Sequence, residues 1–452
     1  MNNLVAQLES IQPSALRGSV VRTEGMMTAV AGLPAPVGAI VEIQRQAGGP
    51  IEGEVIGFRD DLTLVYPFSA LSGVRRGTPV RLKRTSRFLR VGDELLGRVI
   101  DARGRTTDRL PKPALPFRVA IDQRPPAATS RPAIDTPLST GIRALDAMLT
   151  CGCGQRIGIF AGSGVGKSVT LGMMARYTSA DVNVIALIGE RGREVNEFIE
   201  RDLGPAGLAR SVVVVATSDE PALLRLQAAM TATAIAEYFR DQGQNVLLLM
   251  DSLTRFAMAQ REIGLAAGEP PATRGYPPSM FSLLPKLVER AGRSELGSIT
   301  AFYSVLVEGD DTNEPVSDTV RGLLDGHIIL SRDIASRGHY PAIDILQSLS
   351  RLMPSITSQQ QRDAAQAVRE LMAVYRDHED LISIGAYRQG SNPVVDAAIL
   401  LHQEINEFLR QRVDAPSSLG QSMADLIRLG ARCTAAKSLG KGTGNKLNTA
   451  TA

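Results

Sequence analysis

The octet Ala161-Gly-Ser-Gly-Val-Gly-Lys-Ser168 follows the apolar run Arg156 to Phe160 and opens a stretch of helical character. A strand, a glycine-rich loop and a helix in succession form the context in which this motif makes a phosphate cradle. Gly162, Gly164 and Gly166 let the backbone wrap closely around an anion. With Ser163, Val165 and Val169 they would turn amide groups and a helix N-terminus toward the β- and γ-phosphates of a nucleotide. Lys167 adds a positive charge on those phosphates, and Ser168 supplies a hydroxyl for Mg²⁺. Ala161 stands where a glycine is common, but the glycines after it keep the loop free to bend.

Two further elements extend this reading. Val246-Leu-Leu-Leu-Met-Asp251 is an apolar run ending in a carboxylate, and a buried parallel strand would bring Asp251 to the sheet edge beside the loop, where it can hold the magnesium shell. Gly189-Glu-Arg-Gly-Arg-Glu194 follows the run Val184 to Ile188, so Glu190 would reach the same edge and orient an attacking water. Glu194 and Glu197 fall within the following helix and suit capping or surface pairing instead.

Around these motifs, Arg156 to Phe160, Val184 to Ile188, Val212 to Ala216, Val246 to Met250, Ile299 to Leu306 and His327 to Leu330 read as buried strands alternating with helices. That alternation, with the phosphate loop inside it, predicts an α/β P-loop core with a parallel sheet covered by helices over 141–354. Short β-favouring runs punctuated by Gly and Pro predict a β-barrel over 18–92, followed by a proline-rich connection over 93–140. A C-terminal helical domain is expected over 355–435, with Asn392 and Pro393 opening a helix that carries Ala398, Leu401, Ile405 and Phe408. The polar, glycine-rich end, 436–452, reads as a disordered tail. Over 1–17, Leu4, Leu8 and Ile11 recur at helical spacing, as in an amphipathic helix or a frayed terminus.

Composition narrows the function. The chain has 452 residues and a formal net charge of +3, too small for a dedicated nucleic-acid binder. The exception is local: Arg75, Arg76, Arg81, Lys83, Arg84, Arg87 and Arg90 form a basic run whose only aromatic is Phe88, a thin platform for a single strand. It reads as a solvated barrel face, the alternative being a site for an acidic partner or anionic lipid. Cys151, Cys153 and Cys433 lack the paired spacing of a zinc site, which fits free thiols in a reducing compartment. No apolar run approaches the roughly 20 residues of a membrane span, and the expected location is the cytoplasm.

Beyond these motifs, several longer stretches resemble one family: GERGREVNEFI from Gly189, MDSLTRFAMAQREIGLAAGEPPATRGYPPS over Met250 to Ser279, LVERAG from Leu287 and FYSVLVEGDD over Phe302 to Asp311. They are similar to the catalytic-type subunits of the rotary ATPase superfamily, and within it to the flagellar protein-export ATPases and their relatives in virulence secretion. EYFRDQG at Glu237 to Gly243 has the more flagellar wording.

The resemblance implies a RecA-like core between an N-terminal β-barrel and a C-terminal helical domain, in an ATP hydrolase that uses Mg²⁺ and works as a homo-hexamer. Its implied partners are stator and stalk proteins, an export gate, and export substrates with their chaperones. Its implied place is the inner face of the cytoplasmic membrane, as a peripheral protein, with no nucleic-acid partner. It assigns Lys167, Ser168, Glu190 and Asp251 the roles argued above. Arg191 and Arg255 would position Glu190 and the phosphate, and Arg351 would be an arginine finger offered to a neighbouring subunit. Tyr340 would stack on adenine, with Tyr387 a second adenine wall. Competing readings are a virulence secretion ATPase, a hexameric nucleic-acid motor, a proton-driven synthase subunit and a non-catalytic regulatory subunit. Glu190 argues against the last.

Overall fold

The computed structural model describes residues 16–307 and 314–444. The N-terminal stripe of Leu4, Leu8 and Ile11 lies outside the described residues, as do 308–313 and 445–452.

Six strands close a barrel in the order Arg17–Glu24, Met27–Ala31, Leu62–Pro67, Ile51–Arg59, Ile40–Ile43 and Pro79–Arg84. Alternation along the strands sends every second side chain inward, so Val20, Val30, Val41, Ile43, Val55, Val65 and Val80 fill the interior. The polar alternates include part of the basic run. Arg81 pairs with Glu42, Lys83 with Glu42 and Glu52, and Arg87 with Glu54 and Asp122, so carboxylates of the same chain meet these charges.

The barrel sits against a nine-stranded sheet. Its strands run in the order Leu349–Ser350, Gly326–Leu330, Arg156–Ala161, Ser298–Leu306, Asn245–Asp251, Val182–Glu190, Ser211–Thr217 and Arg98–Asp101, with Gly292–Arg293 paired to Ser298–Leu306. All neighbours are parallel except the two short strands Leu349–Ser350 and Gly292–Arg293. Both faces are covered, which is why the strands are apolar throughout. Val184, Ala186 and Ile188 pack on one face with the helix Ala222–Asp241, whereas Ile185 and Leu187 pack on the other with the helix Lys167–Tyr177 and the C-terminal helices. One edge differs from expectation: Arg98–Asp101, within the proline-rich connection, is itself a sheet strand. It is held there by pairing with Ser211–Thr217 and by the bidentate Arg98–Asp108 ion pair.

The C-terminal helices are Gln359–Ser383, Pro393–Leu409 and Leu419–Gly444. Asn392 caps the second through its side-chain oxygen, which accepts from the Val394 amide at 3.0 Å. The third helix is described as far as Gly444, into the glycine-rich stretch that reads as disorder from Ala436. Its earlier turns bury Leu426, Leu429 and Cys433 and so anchor the helix before the glycines begin. No helix among the described residues is long and apolar enough to cross a membrane.

Candidate nucleotide site

Three parallel strands deliver the site. Arg156–Ala161 ends at the glycine-rich loop, Val182–Glu190 ends at Glu190, and Asn245–Asp251 ends at Asp251. Parallel pairing puts all three ends at one edge of the sheet, the crevice where open α/β folds bind ligands. Gly164 at φ +80° and Gly166 at φ +88° adopt left-handed conformations that a side chain would strain. Gly166 caps the helix Lys167–Tyr177 without a side-chain hydrogen bond, so the first helical amides face the loop free of any capping side chain.

The charges converge on Lys167. Its Nζ donates to Asp251 Oδ1 at 2.5 Å and lies 3.8 Å from Glu190 Oε1. Asp251 also accepts from the hydroxyl of fully buried Ser304 at 2.6 Å. Burial raises the Glu190 carboxyl to about 7; the Asp251 charge pushes the same way and Lys167 opposes it. Beside these groups, Ser168, Leu187, Glu190, Glu194, Val195, Phe198 and Asp251 line a cavity of about 20 Å³. That is room for one water with polar partners around it. The donor set suits a Mg-nucleotide: a loop shaped for phosphates, an ammonium group, an exposed hydroxyl at Ser168 and a buried carboxylate.

The other residues singled out from sequence lie at different distances from this centre. Tyr340 is close: a Cβ on Gly166 would lie 3.5 Å from its ring, and the ring is 45% exposed beside the loop. Arg255 lays its stem over Gly189, about 3.2 Å from where a Cβ would be, and its buried Nε has no hydrogen-bond partner among the described residues. Arg191 turns away, with its side chain 76% exposed and paired with Glu194 at 3.1 Å. Tyr387 is fastened within its own turn: its hydroxyl bonds the Asn392 carbonyl and Asp396, at the start of the helix Pro393–Leu409. Arg351 follows the strand Leu349–Ser350, whose register opposite Gly326 and His327 sets it at the amino end of the sheet. The six-residue strand Arg156–Ala161 separates that end from the loop by about 17 Å. Ser304 was not anticipated; the signal for it was a small aliphatic hydroxyl inside the largely apolar run Phe302 to Leu306.

Matches to known proteins agree with this geometry. Residues 17–83 match the beta-barrel domain of the ATP synthase alpha/beta family and residues 141–350 its nucleotide-binding domain, while 357–428 match the T3SS EscN ATPase C-terminal domain. The chain is 53% identical over 416 residues to the flagellum-specific ATP synthase of Bacillus subtilis, covering 91% of this chain and 94% of that protein. It is 51% identical over 416 residues to the type 3 secretion system ATPase of Xanthomonas euvesicatoria, covering 92% and 94%. Among solved structures, the assembled ATPase EscN in complex with its central stalk EscO, from the enteropathogenic E. coli type III secretion system, superposes with a TM-score of 0.85. It shares 46% identity and covers 91% of this chain and all of that one. With a phosphate loop, a lysine between two carboxylates and likeness along most of its length, this chain is an ATP hydrolase belonging to the flagellum-specific and type III secretion ATPases of the ATP synthase alpha/beta family.

Proposed function

We propose that this ATP hydrolase drives protein export in a bacterial flagellar apparatus, as a homo-hexameric ring whose active sites are shared between subunits. The observation that carries the shared site is the separation of Arg351 from Lys167, Glu190 and Asp251. Arg351 is exposed at the amino end of the sheet, and the phosphate loop is at the carboxyl end. A guanidinium so placed acts on a neighbour's nucleotide, not on its own.

In this account ATP draws Lys167 from Asp251 onto the β- and γ-phosphates, and Tyr340 covers the adenine side of the loop. Tyr387 would form a second wall on the adenine. When bound, Mg²⁺ would be held by Ser168 and Asp251 and would supply positive charge at the phosphate oxygens. Glu190 accepts a hydrogen bond from a water in the adjoining cavity and aims it in line with the γ-phosphate, with Arg255 over Gly189 fixing that end of the strand. Arg191 serves at most the rim. The partner's Arg351 neutralises charge as the phosphoryl group transfers.

Likeness to an ATPase assembled on a central stalk supports a ring with a stalk partner here. Stator proteins, an export gate, and substrates with their chaperones would complete the set, at the inner face of the membrane. The similarly close Xanthomonas relative favours a second reading, virulence secretion. Deleting the gene decides between them. Loss of swimming and of flagellin from the culture supernatant is the expected result, whereas intact motility with lost secretion of other proteins overturns the flagellar reading.

A further inference from the structure

The two residues at the amino end of the phosphate-loop strand both hold the segment that carries Arg351. Gln155 is fully buried, and its amide donates to the Asp325 carbonyl and to Ser350 Oγ, each at 3.1 Å. Ser350 Oγ in turn donates to the Thr150 carbonyl at 2.8 Å. Arg156 donates its own amide and Nε to the Asp325 carboxylate, each at 3.1 Å, and its carbonyl accepts from the Asp325 amide at 2.8 Å. The Arg351 amide closes the set by donating to the Asp325 carbonyl at 3.0 Å. The fit is tight: a Cβ on Gly326 would lie 2.5 Å from the Leu349 carbonyl oxygen. The set also reaches the C-terminal helices, because Gln361 Nε2 donates to Thr150 Oγ1 at 2.9 Å.

These contacts serve no nucleotide bound in the same subunit, since they sit a strand's length from its loop. They restrain instead Ser350 and the backbone amide of Arg351 itself. From this juxtaposition we infer that Gln155 and Asp325 are positioning residues for Arg351, so that the strand ending in one subunit's phosphate loop sets the aim of the arginine offered to the next subunit. The inference rests on the proposed role of Arg351 in trans. It adds a physical link between a subunit's own nucleotide and its neighbour's catalysis: a shift of this strand on nucleotide binding is carried to residues 325 and 350 through hydrogen bonds, without an intervening flexible loop.

The test uses the full-length protein and subunit mixing. Gln155→Met removes both donor bonds at similar volume, and Asp325→Asn, at a partly exposed position, loosens the same segment with less risk to folding. Each should lower kcat while binding of a fluorescent ATP analogue stays within about threefold, because a displacement on the order of 1 Å in a catalytic group can reduce rate by about 100-fold. Mixing then locates the defect. Gln155→Met subunits with Glu190→Gln subunits should regain activity, since an intact loop meets an intact Arg351 at some interfaces. Gln155→Met with Arg351→Ala should not, because both lesions strike the same arginine. The reverse pattern would place the defect in the subunit's own loop and overturn the inference. If Gln155→Met does not fold, Asp325→Asn is read in the same two mixtures. An Arg351→Ala with Glu190→Gln mixture is the control. If it fails although mixed rings assemble, the trans reading of Arg351 falls and the inference with it; if it succeeds and the Gln155 pattern fails, only the inference falls.

Discussion

Lys167 Nζ lies 2.5 Å from Asp251 Oδ1 and 3.8 Å from Glu190 Oε1, so one ammonium group holds together the carboxylate assigned to the metal shell and the one assigned to the water. All three side chains are largely buried, which makes the pull of the ammonium group on each carboxylate strong and its removal severe.

Lys167→Ala leaves both carboxylates without their countercharge and strips the triphosphate of its main cation. We expect ATP affinity to fall by at least about 2 kcal/mol, roughly 30-fold, since a lost partner to a charged group carries a penalty of that order. Equilibrium binding of a fluorescent ATP analogue measures this, and wild-type affinity would remove the phosphate assignment.

Ser304→Ala deletes the hydroxyl that orients Asp251 at 2.6 Å within a fully buried strand. The expected outcome is a loss of about 1 kcal/mol in folding stability and a several-fold lower kcat. Denaturant titration and steady-state turnover report the two effects separately. Unchanged turnover would show that Lys167 alone is enough to hold Asp251.

The pH dependence of stability should carry the signature of Glu54, where Gln227 of the helix Ala222–Asp241 meets the barrel at Glu54 Oε2, 2.5 Å away. Burial raises the Glu54 carboxyl from its ordinary 4.5 to about 7, with Arg87 opposing. Between those values the folded protein holds a proton that the unfolded chain has released, so this group's contribution to stability falls as pH rises through the window. Glu54→Gln carries no such proton. Its melting temperature relative to wild type should therefore climb from about pH 4.5 to 7 and level off above; a difference independent of pH contradicts the assignment.

Much of this fold was legible because both sheet faces are buried. Continuous apolar runs such as Val246 to Met250 have no reading as surface elements, and the glycines of 162–166 mark where the backbone must approach an anion. The strand Arg98–Asp101 was hidden because its partner, Ser211–Thr217, is more than a hundred residues away and prolines crowd the segment after it. The helix through Gly444 defied its local composition because tertiary burial at Leu426, Leu429 and Cys433 outweighs the low helix propensity of the glycines that follow. Arg351 was recognised through family likeness, but its place at the amino end of the sheet depends on an antiparallel pairing at residues 326 and 350 that no local pattern announces. Ser304 required knowing which strand faces Asp251.

The central claim is that each active site is completed by a neighbour's arginine, and mixing two dead proteins tests it most directly. Arg351→Ala should lower turnover by about 10³ to 10⁵ while ATP still binds, and Glu190→Gln should bind ATP without hydrolysing it. When an excess of Arg351→Ala subunits is added to Glu190→Gln subunits, some interfaces pair Glu190 of one chain with Arg351 of the next, and measured phosphate release should rise well above that of either protein alone. Phosphate release that stays at the level of the separate variants, in mixtures shown to contain both chains in one ring, would contradict the shared active site.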